Sequence, residues 1–142
     1  MEIHTFLVDE DDRTINFSPQ DLSAFDQAMP DHQFHHHATS DSLLGAAGQA
    51  DYILTWKFEA HWYAKCDHLK AIITPAAGRD WVATDPSGRV TVSHGTFHGP
   101  ILGESLLSAV LFMNHRMPAM IRNFQSRAWE RDLQSDCRLL SE

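Results

Sequence analysis

The sequence is short of cysteine, of basic charge and of long apolar runs, and each shortage removes a class of protein. Its two cysteines, Cys66 and Cys137, lie far apart with no C-x-x-C spacing. That speaks against a disulfide framework and for free thiols in a reducing compartment, so a cytoplasmic location is expected. Eleven Lys and Arg face nineteen Asp and Glu, a formal charge of −8 with no basic run. Nucleic acid and anionic membrane surfaces are therefore not expected partners. No stretch approaches the roughly 18–20 continuous apolar residues of a membrane span. The start, Met1-Glu2-Ile3-His4, lacks the basic and apolar regions of a signal peptide.

Several catalytic motifs are missing as well. There is no G-x-S-x-G nucleophile elbow and no G-x-x-x-x-G-K-[ST] phosphate loop. Gly45-Ala46-Ala47-Gly48 lacks the G-x-G start of a dinucleotide fingerprint and falls inside or at the end of a helix. No self-sufficient set of nucleophile, base and oxyanion donors is present, so no catalytic residue is assigned.

What is present is one domain's length of globular sequence, 142 residues with 43% hydrophobic and 21% charged. Residues 3–8 are a short apolar run ending in Asp9-Glu10-Asp11-Asp12, a strand followed by an acidic loop. Ser18-Pro19 with Asp21 opens a helix whose stripe is Leu22, Phe25 and Met29. Residues 33–39, 50–56, 69–74 and 89–93 read as further strands. Short helices are expected from Ser40 over Leu43, Leu44 and Ala47, and over 59–68, with Trp62 and Cys66 one turn apart. From Pro100 a long, broadly apolar helix begins. Pro118 should kink it or end its first half, and a second piece should run over 119–131. Alternating strands and helices imply an α/β fold with a parallel sheet covered on both faces. Ligands in such sheets bind beyond the carboxyl ends of the strands, here the loops 9–13, 55–59, 75–80 and 94–99.

Four features carry candidate chemistry. His32, His35, His36 and His37 lie within six residues, and on a strand His35 and His37 share a face. Two imidazoles are only half a metal site, with no Cys or carboxylate at short spacing, so a solvated edge strand is the favoured reading and no metal is assigned. Trp56-Lys57-Phe58 ends the third strand at the ligand edge; either the cation between two aromatics holds a small carboxylate, or both rings are core and Lys57 reaches to solvent. Ala77-Gly78, in Thr74-Pro75-Ala76-Ala77-Gly78-Arg79-Asp80, is small enough for a ligand to approach the backbone N–H groups, or is a plain turn. His98, before the long helix, is a substrate contact or a cap.

The second half resembles a known family. Leu69-Lys70-Ala71-Ile72-Ile73-Thr74-Pro75-Ala76-Ala77-Gly78-Arg79-Asp80 is similar to the LK-strand and (S/A)-x-G-x-D segment of the D-isomer-specific 2-hydroxyacid dehydrogenases. Arg89-Val90-Thr91-Val92-Ser93 resembles the strand that follows, and His98-Gly99-Pro100 through Glu104 and Leu107 the start of the family's long helix. Arg116-Met117-Pro118, Gln125 and Trp129-Glu130-Arg131 resemble its R-x-(L/M)-P, Q and W-x-R continuation. The order and spacing over roughly residues 50–131 carry the resemblance; the first fifty residues match in strand–helix rhythm alone.

The resemblance implies a flavodoxin-like substrate domain over 1–93, with a five-stranded parallel sheet. A hinge over 94–99 and a long kinked interdomain or dimerisation helix over 100–131 would follow, then a tail, 132–142, before a missing NAD domain. It implies a substrate site including Trp56, Lys57, Phe58, Ala77, Gly78 and His98, with the Ala77–Gly78 amides on the substrate carboxylate. The partner would be a small 2-oxo or 2-hydroxy acid and a second copy of the chain. The family's catalytic Arg, its acidic partner, its acid/base His and its NAD or NADP fingerprint have no counterpart here, so the isolated chain should not turn over. His98 stands where formate dehydrogenases carry Asn, and Ala83 where many members carry Asp. Glu104 matches the helix Glu, with a structural role expected at the domain junction. The rival reading is a stand-alone flavodoxin-like carboxylate-binding or interaction module without catalysis.

Overall fold

A computed structural model describes residues 1–9 and 11–134. The chain divides into two compact units, Met1–Thr96 and the residues from Phe97 onward. The division falls within residues 94–99.

The first unit is built on five strands: β1 (Glu2–Phe6), β2 (Gln33–His36), β3 (Tyr52–Thr55), β4 (Ala71–Thr74) and β5 (Thr91–His94). All neighbours are parallel, in the order β2-β1-β3-β4-β5. This is the flavodoxin-like arrangement. From β1 the chain steps one way to β2 and then returns past β1 to β3. The sheet therefore has a topological switch point between β1 and β3, where the loops leave in opposite directions and open a crevice.

Helix α1 (Pro19–Ala28) joins β1 to β2, and α2 (Ser40–Ala46) joins β2 to β3. Both starts follow from local chemistry. The Ser18 side chain accepts from the Asp21 N–H while the Asp21 carboxylate accepts from the Ser18 N–H, a reciprocal capping box with Pro19 at the first helical position. At α2 the Thr39 hydroxyl accepts from the Ser42 N–H.

Because side chains alternate across a strand, the sheet has two apolar faces. One packs Ile53 and Ile72 with Leu43, Ala47, Phe58, Trp62, Tyr63 and Cys66. The other packs Leu7, Trp56 and Ala76, with Leu22, Phe25, Phe17 and Trp81 laid against them. The expected cover on both faces is thus present.

Residues 59–68 depart from the expected helix. They form a 3-10 turn, Ala60–Lys65. Trp62 and Tyr63 are adjacent in sequence, yet both are buried, and both rings meet Phe58 edge-on at 5.2 and 4.9 Å. A regular α-helix with a single apolar stripe does not place two consecutive large rings in one core; the tighter turn does.

The second unit holds α3 (His98–Asn114) and α4 (Met117–Ser126). The long helix breaks where the sequence indicates, but through Arg116, whose φ of 53° is left-handed, and not through a kink at Pro118. Pro118 sits in the first turn of α4, where a missing N–H costs nothing. Helix α4 ends earlier than residue 131, at Arg127, again left-handed at φ 53°, whose N–H donates back to Asn123 and Phe124 carbonyls. Of the expected tail, residues 132–134 form a 3-10 turn, Asp132–Gln134; 135–142, including Cys137, lie outside the described residues. No helix among the described residues is long and apolar enough to cross a membrane.

Candidate functional site

The carboxyl edge of the sheet brings together the loops after β1, β3 and β4. After β1, Asp9 is buried and organises its loop. One carboxylate oxygen, Oδ1, accepts from the Asp11 N–H at 2.9 Å and the Asp12 N–H at 3.2 Å. Asn16 clamps the Asp9 backbone, accepting from its N–H at 2.6 Å and donating to its carbonyl at 3.1 Å.

After β3, the backbone of Trp56 and Lys57 is held by two buried threonines. The Thr55 hydroxyl donates to the Lys57 carbonyl at 3.0 Å, and the Thr74 hydroxyl to the Trp56 carbonyl at 3.3 Å. The Thr74 hydroxyl also accepts from the Ala76 N–H at 3.2 Å, which ties the loop after β4 to the same anchor. Threonine suits strand ends because its branched body packs in the sheet while its hydroxyl serves the loop.

This framework presents Lys57 across the switch point. Its ammonium lies 2.7 Å from Asp9 Oδ2 and 3.7 Å from Asp11, with the Asp9 side chain 3% exposed and that of Lys57 49%. The pairing pulls the Asp9 carboxyl below its ordinary value, chiefly through the hydrogen bond from Lys57, and raises Lys57 through the same bond. The ammonium also stands 5.4 Å over the Trp81 ring.

The other sequence-derived candidates fall into distinct places. Trp56 is buried, with its indole N–H donating to the Ile15 carbonyl at 3.1 Å. Phe58 is 1% exposed and is core. Its backbone pairs with Val82, donating to the Trp81 carbonyl and accepting from the Ala83 N–H. Ala77 and Gly78 are exposed, and neither N–H donates to a protein acceptor among the described residues. Gly78 is hemmed in: a Cβ there would meet Asp80 Oδ1 at 2.7 Å and Trp81 at 3.2 Å. His98 stands in the second unit, on the first turn of α3, its ring stacked on Phe97 at 4.1 Å.

The first unit thus gathers Trp56, Lys57 and the Ala77–Gly78 turn around Trp81. The Trp81 ring lies 6.1 Å from that of Trp56, under the Lys57 ammonium and against Gly78. Beside Lys57 and Trp81 a cleft of about 450 Å³ opens, lined also by Phe58, Glu59, Ala60, Asp80 and Ala83 but not by Trp56, Ala77 or Gly78. Asp9, Asp80 and Trp81 are the residues that sequence reading passed over. The run of acids ending the first strand was a usable signal for a counter-ion to Lys57. Trp81 carried none, since only the tertiary fold shows its ring between two loops.

The histidine-rich segment lies elsewhere: His32 precedes β2, His35 and His36 are on it, and His37 follows it. Among the described residues no group of three or more His, Cys, Asp or Glu is placed to hold a metal ion.

No family model matches the sequence, and no curated protein matches it. Solved structures do. The chain is similar to the NAD-dependent formate dehydrogenase from Staphylococcus aureus in complex with NAD, with a TM-score of 0.62 and 15% identity over 97% of this chain and 46% of that one. It is similar also to the D-lactate dehydrogenase from Aquifex aeolicus complexed with NAD and lactic acid, with a TM-score of 0.63 and 17% identity over 93% of this chain and 39% of that one. The chain shares its fold with part of each of these two dehydrogenases. The chain spans less than half the length of either structure.

Proposed function

We propose that this chain is the substrate-side portion of an NAD(P)-dependent D-2-hydroxyacid dehydrogenase, binding the carboxylate of a small 2-oxo or 2-hydroxy acid without turning it over alone. The observation that carries this reading is the pair of unengaged amides at Ala77 and Gly78, at the carboxyl edge of a sheet with this fold. A carboxylate set against two N–H donors gains two charge-assisted hydrogen bonds. Trp81 walls off one side of the turn, which lowers the local dielectric and strengthens them.

Lys57 has a smaller part in this reading than a free cation would. Asp9 already engages its ammonium, so the loop offers an incoming anion one remaining flank of Lys57 and no surplus positive charge. In this reading the amides fix the carboxylate, and Lys57 contributes only to the local field at the strand ends.

The dinucleotide is a poor fit to these residues. No two glycines of the chain stand in G-x-G spacing, and Gly45 and Gly48 lie in α2 and the 3-10 turn after it. The nicotinamide site, and the group that would protonate the forming alkoxide, belong in this reading to sequence outside the chain.

The second unit supplies the association surface. Ile101, Leu102, Leu106, Met113, Phe124 and Trp129 are all exposed, Phe124 at 86%. So broad an apolar surface favours covering by a second copy, hence a homodimer through α3 and α4.

A chemical-shift titration of the labelled chain with pyruvate, D-lactate and acetate tests the reading. Saturable shifts of the Ala77 and Gly78 amides and the Trp81 indole are expected at millimolar acid, with no consumption of added NADH. Absence of those shifts overturns the carboxylate site; steady NADH oxidation overturns the claim that the chain is inactive alone.

A further inference from the structure

We propose that the stacked histidines of β1 and β2 form a proton-operated latch on the edge of the sheet: neutral, they clasp β2 and the start of α2 to β1, and protonated, they release them. Alternate residues of a strand share a face. Glu2 and His4 of β1 and His35 of β2 therefore stand together, since His4 is paired in register with His35, and His37 follows two residues on. The His4 ring stacks on His35 at 4.7 Å and lies nearly parallel to His37, with ring centres 5.2 Å apart.

Two placements of protons make these contacts, and only one of them leaves no buried N–H without an acceptor. In that one, with both rings neutral, His4 Nδ1–H donates to His37 Nε2 at 2.9 Å, and His37 Nδ1–H donates to the Ser42 hydroxyl of α2 at 2.8 Å. His35 meets the Glu2 carboxylate at 2.7 Å. The fourth nitrogen, His4 Nε2, is then a bare lone pair. It is buried with no hydrogen-bond partner, in a residue only 2% exposed. While the ring is neutral that costs little. A proton added there would place a charged N–H with no acceptor out of water, beside two more imidazoles.

The groups facing His4 do not relieve this. Its own strand offers Glu2, already engaged by His35. Strand β2 and the residue beyond it offer only two more imidazoles, His35 and His37, and no carboxylate. His36 points to the opposite face, toward Thr5 and Asp26 of α1. Helix α2 presents the neutral Ser42, and β3 pairs the apolar Ile53 with His4. Asp51, just before β3, is taken by the Glu2 N–H and Lys70.

Release is the cheap response because β2 is an edge strand of four residues, paired on one side only. Lifting it exposes the imidazoles to water without opening the centre of the sheet. Burial, then repulsion from His35 and His37, lowers His4 from 6.5 to about 4, so the closed form binds fewer protons than the open one and opening gains as pH falls through that interval.

Amide hydrogen exchange on the full chain between pH 7 and pH 4.5, corrected for intrinsic rates, tests the latch. Protection of residues 33–36 and 40–46 is expected to fall tenfold to about a hundredfold relative to β3 and β4. In His4→Asn, which keeps a donor where Nδ1 stood, that extra fall is expected to vanish. In His37→Gln, at a half-exposed position that tolerates change, it is expected to shrink. An equal fall in all strands, no fall, or an undiminished fall in whichever variants fold overturns the proposal.

Discussion

Lys57 Nζ lies 2.7 Å from Oδ2 of Asp9, and the two residues stand at the carboxyl ends of the strands that flank the switch point of the sheet. One ion pair therefore spans the strand ends where folds of this kind place their ligands. The buried partner is the carboxylate, so the pair is asymmetric. Losing Lys57 strands a buried charge, whereas losing the charge on Asp9 leaves a solvated ammonium.

Lys57→Met is accordingly expected to lower the melting temperature more than Asp9→Asn, each by on the order of a few degrees. The double variant should lose less than the two singles together, because the second change removes the charge that the first left unpaired. A double-mutant cycle by calorimetry measures the coupling, and strict additivity would sink the argument.

Asp9 and Asp85, with Asp12, Asp21 and Asp51 lowered beside them, contribute to the acid limb of stability. Asp85 is held down to about 2, first by the Ser87 hydroxyl and then by the N–H groups of Ser87, Val90 and Arg89, against a burial cost. Asp9 is also lowered from 3.8. A depressed carboxylate stabilises the fold above its unfolded pKa and ceases to do so as pH drops through its folded one. Stability is expected to fall between pH 4 and pH 2, and Asp85→Ala should flatten that limb in pH-dependent urea unfolding.

Cys66 should be inert in the native state. It is 1% exposed, its thiol donates to the Trp62 carbonyl at 3.4 Å, and burial pushes it up to about 11. In a Cys137→Ser background, a disulfide reagent at pH 8 is expected to label the unfolded chain at once and the native chain only at the rate of opening. Immediate labelling of native protein would mean that the core around Phe58 is not closed.

Gly78→Ala separates folding from binding. The added Cβ meets Asp80 Oδ1 at 2.7 Å, but that atom ends an exposed side chain free to swing, and Trp81 at 3.2 Å must yield slightly. The expected stability loss is about 1 kcal/mol or less. Carboxylate affinity, if the turn is the anion site, should drop about tenfold, the worth of one weakened hydrogen bond. Equal affinity for pyruvate in both proteins would remove Gly78 from the site.

Leu106→Asp probes the helical surface of the second unit. Leu106 is 67% exposed and Leu102 one turn away 65%. A charge placed there costs little in a monomer and much in an apolar interface. Sedimentation should show the parent chain as a dimer and the variant as a monomer; a monomeric parent ends the proposal.

Local chemistry made most elements legible in the sequence. Ser18, Pro19 and Asp21 specify the start of α1 with no outside help, because cap, proline and first-turn acid act within one helical turn. The strands were visible as short segments between turn residues, β5 as a β-branched run and β2, Gln33–His36, without one; the residues paired in β5, Thr91–His94, lie past the expected start at Arg89. The candidate site was half legible. Lys57 and Ala77–Gly78 were found at strand ends, but Phe58 is core, and Trp81 had no local mark.

By itself, then, the sequence determined the α/β alternation, the parallel sheet and the loops that carry the site. Periodicity, caps and breakers are properties of neighbours along the chain. Tertiary structure alone decided that Asp9 neutralises Lys57, that Trp62 and Tyr63 force a 3-10 turn, and that His4 joins His35 and His37 across thirty-odd residues of chain. Each depends on which strands lie side by side, and strand order is set by the packing of the whole sheet and not by any window of sequence.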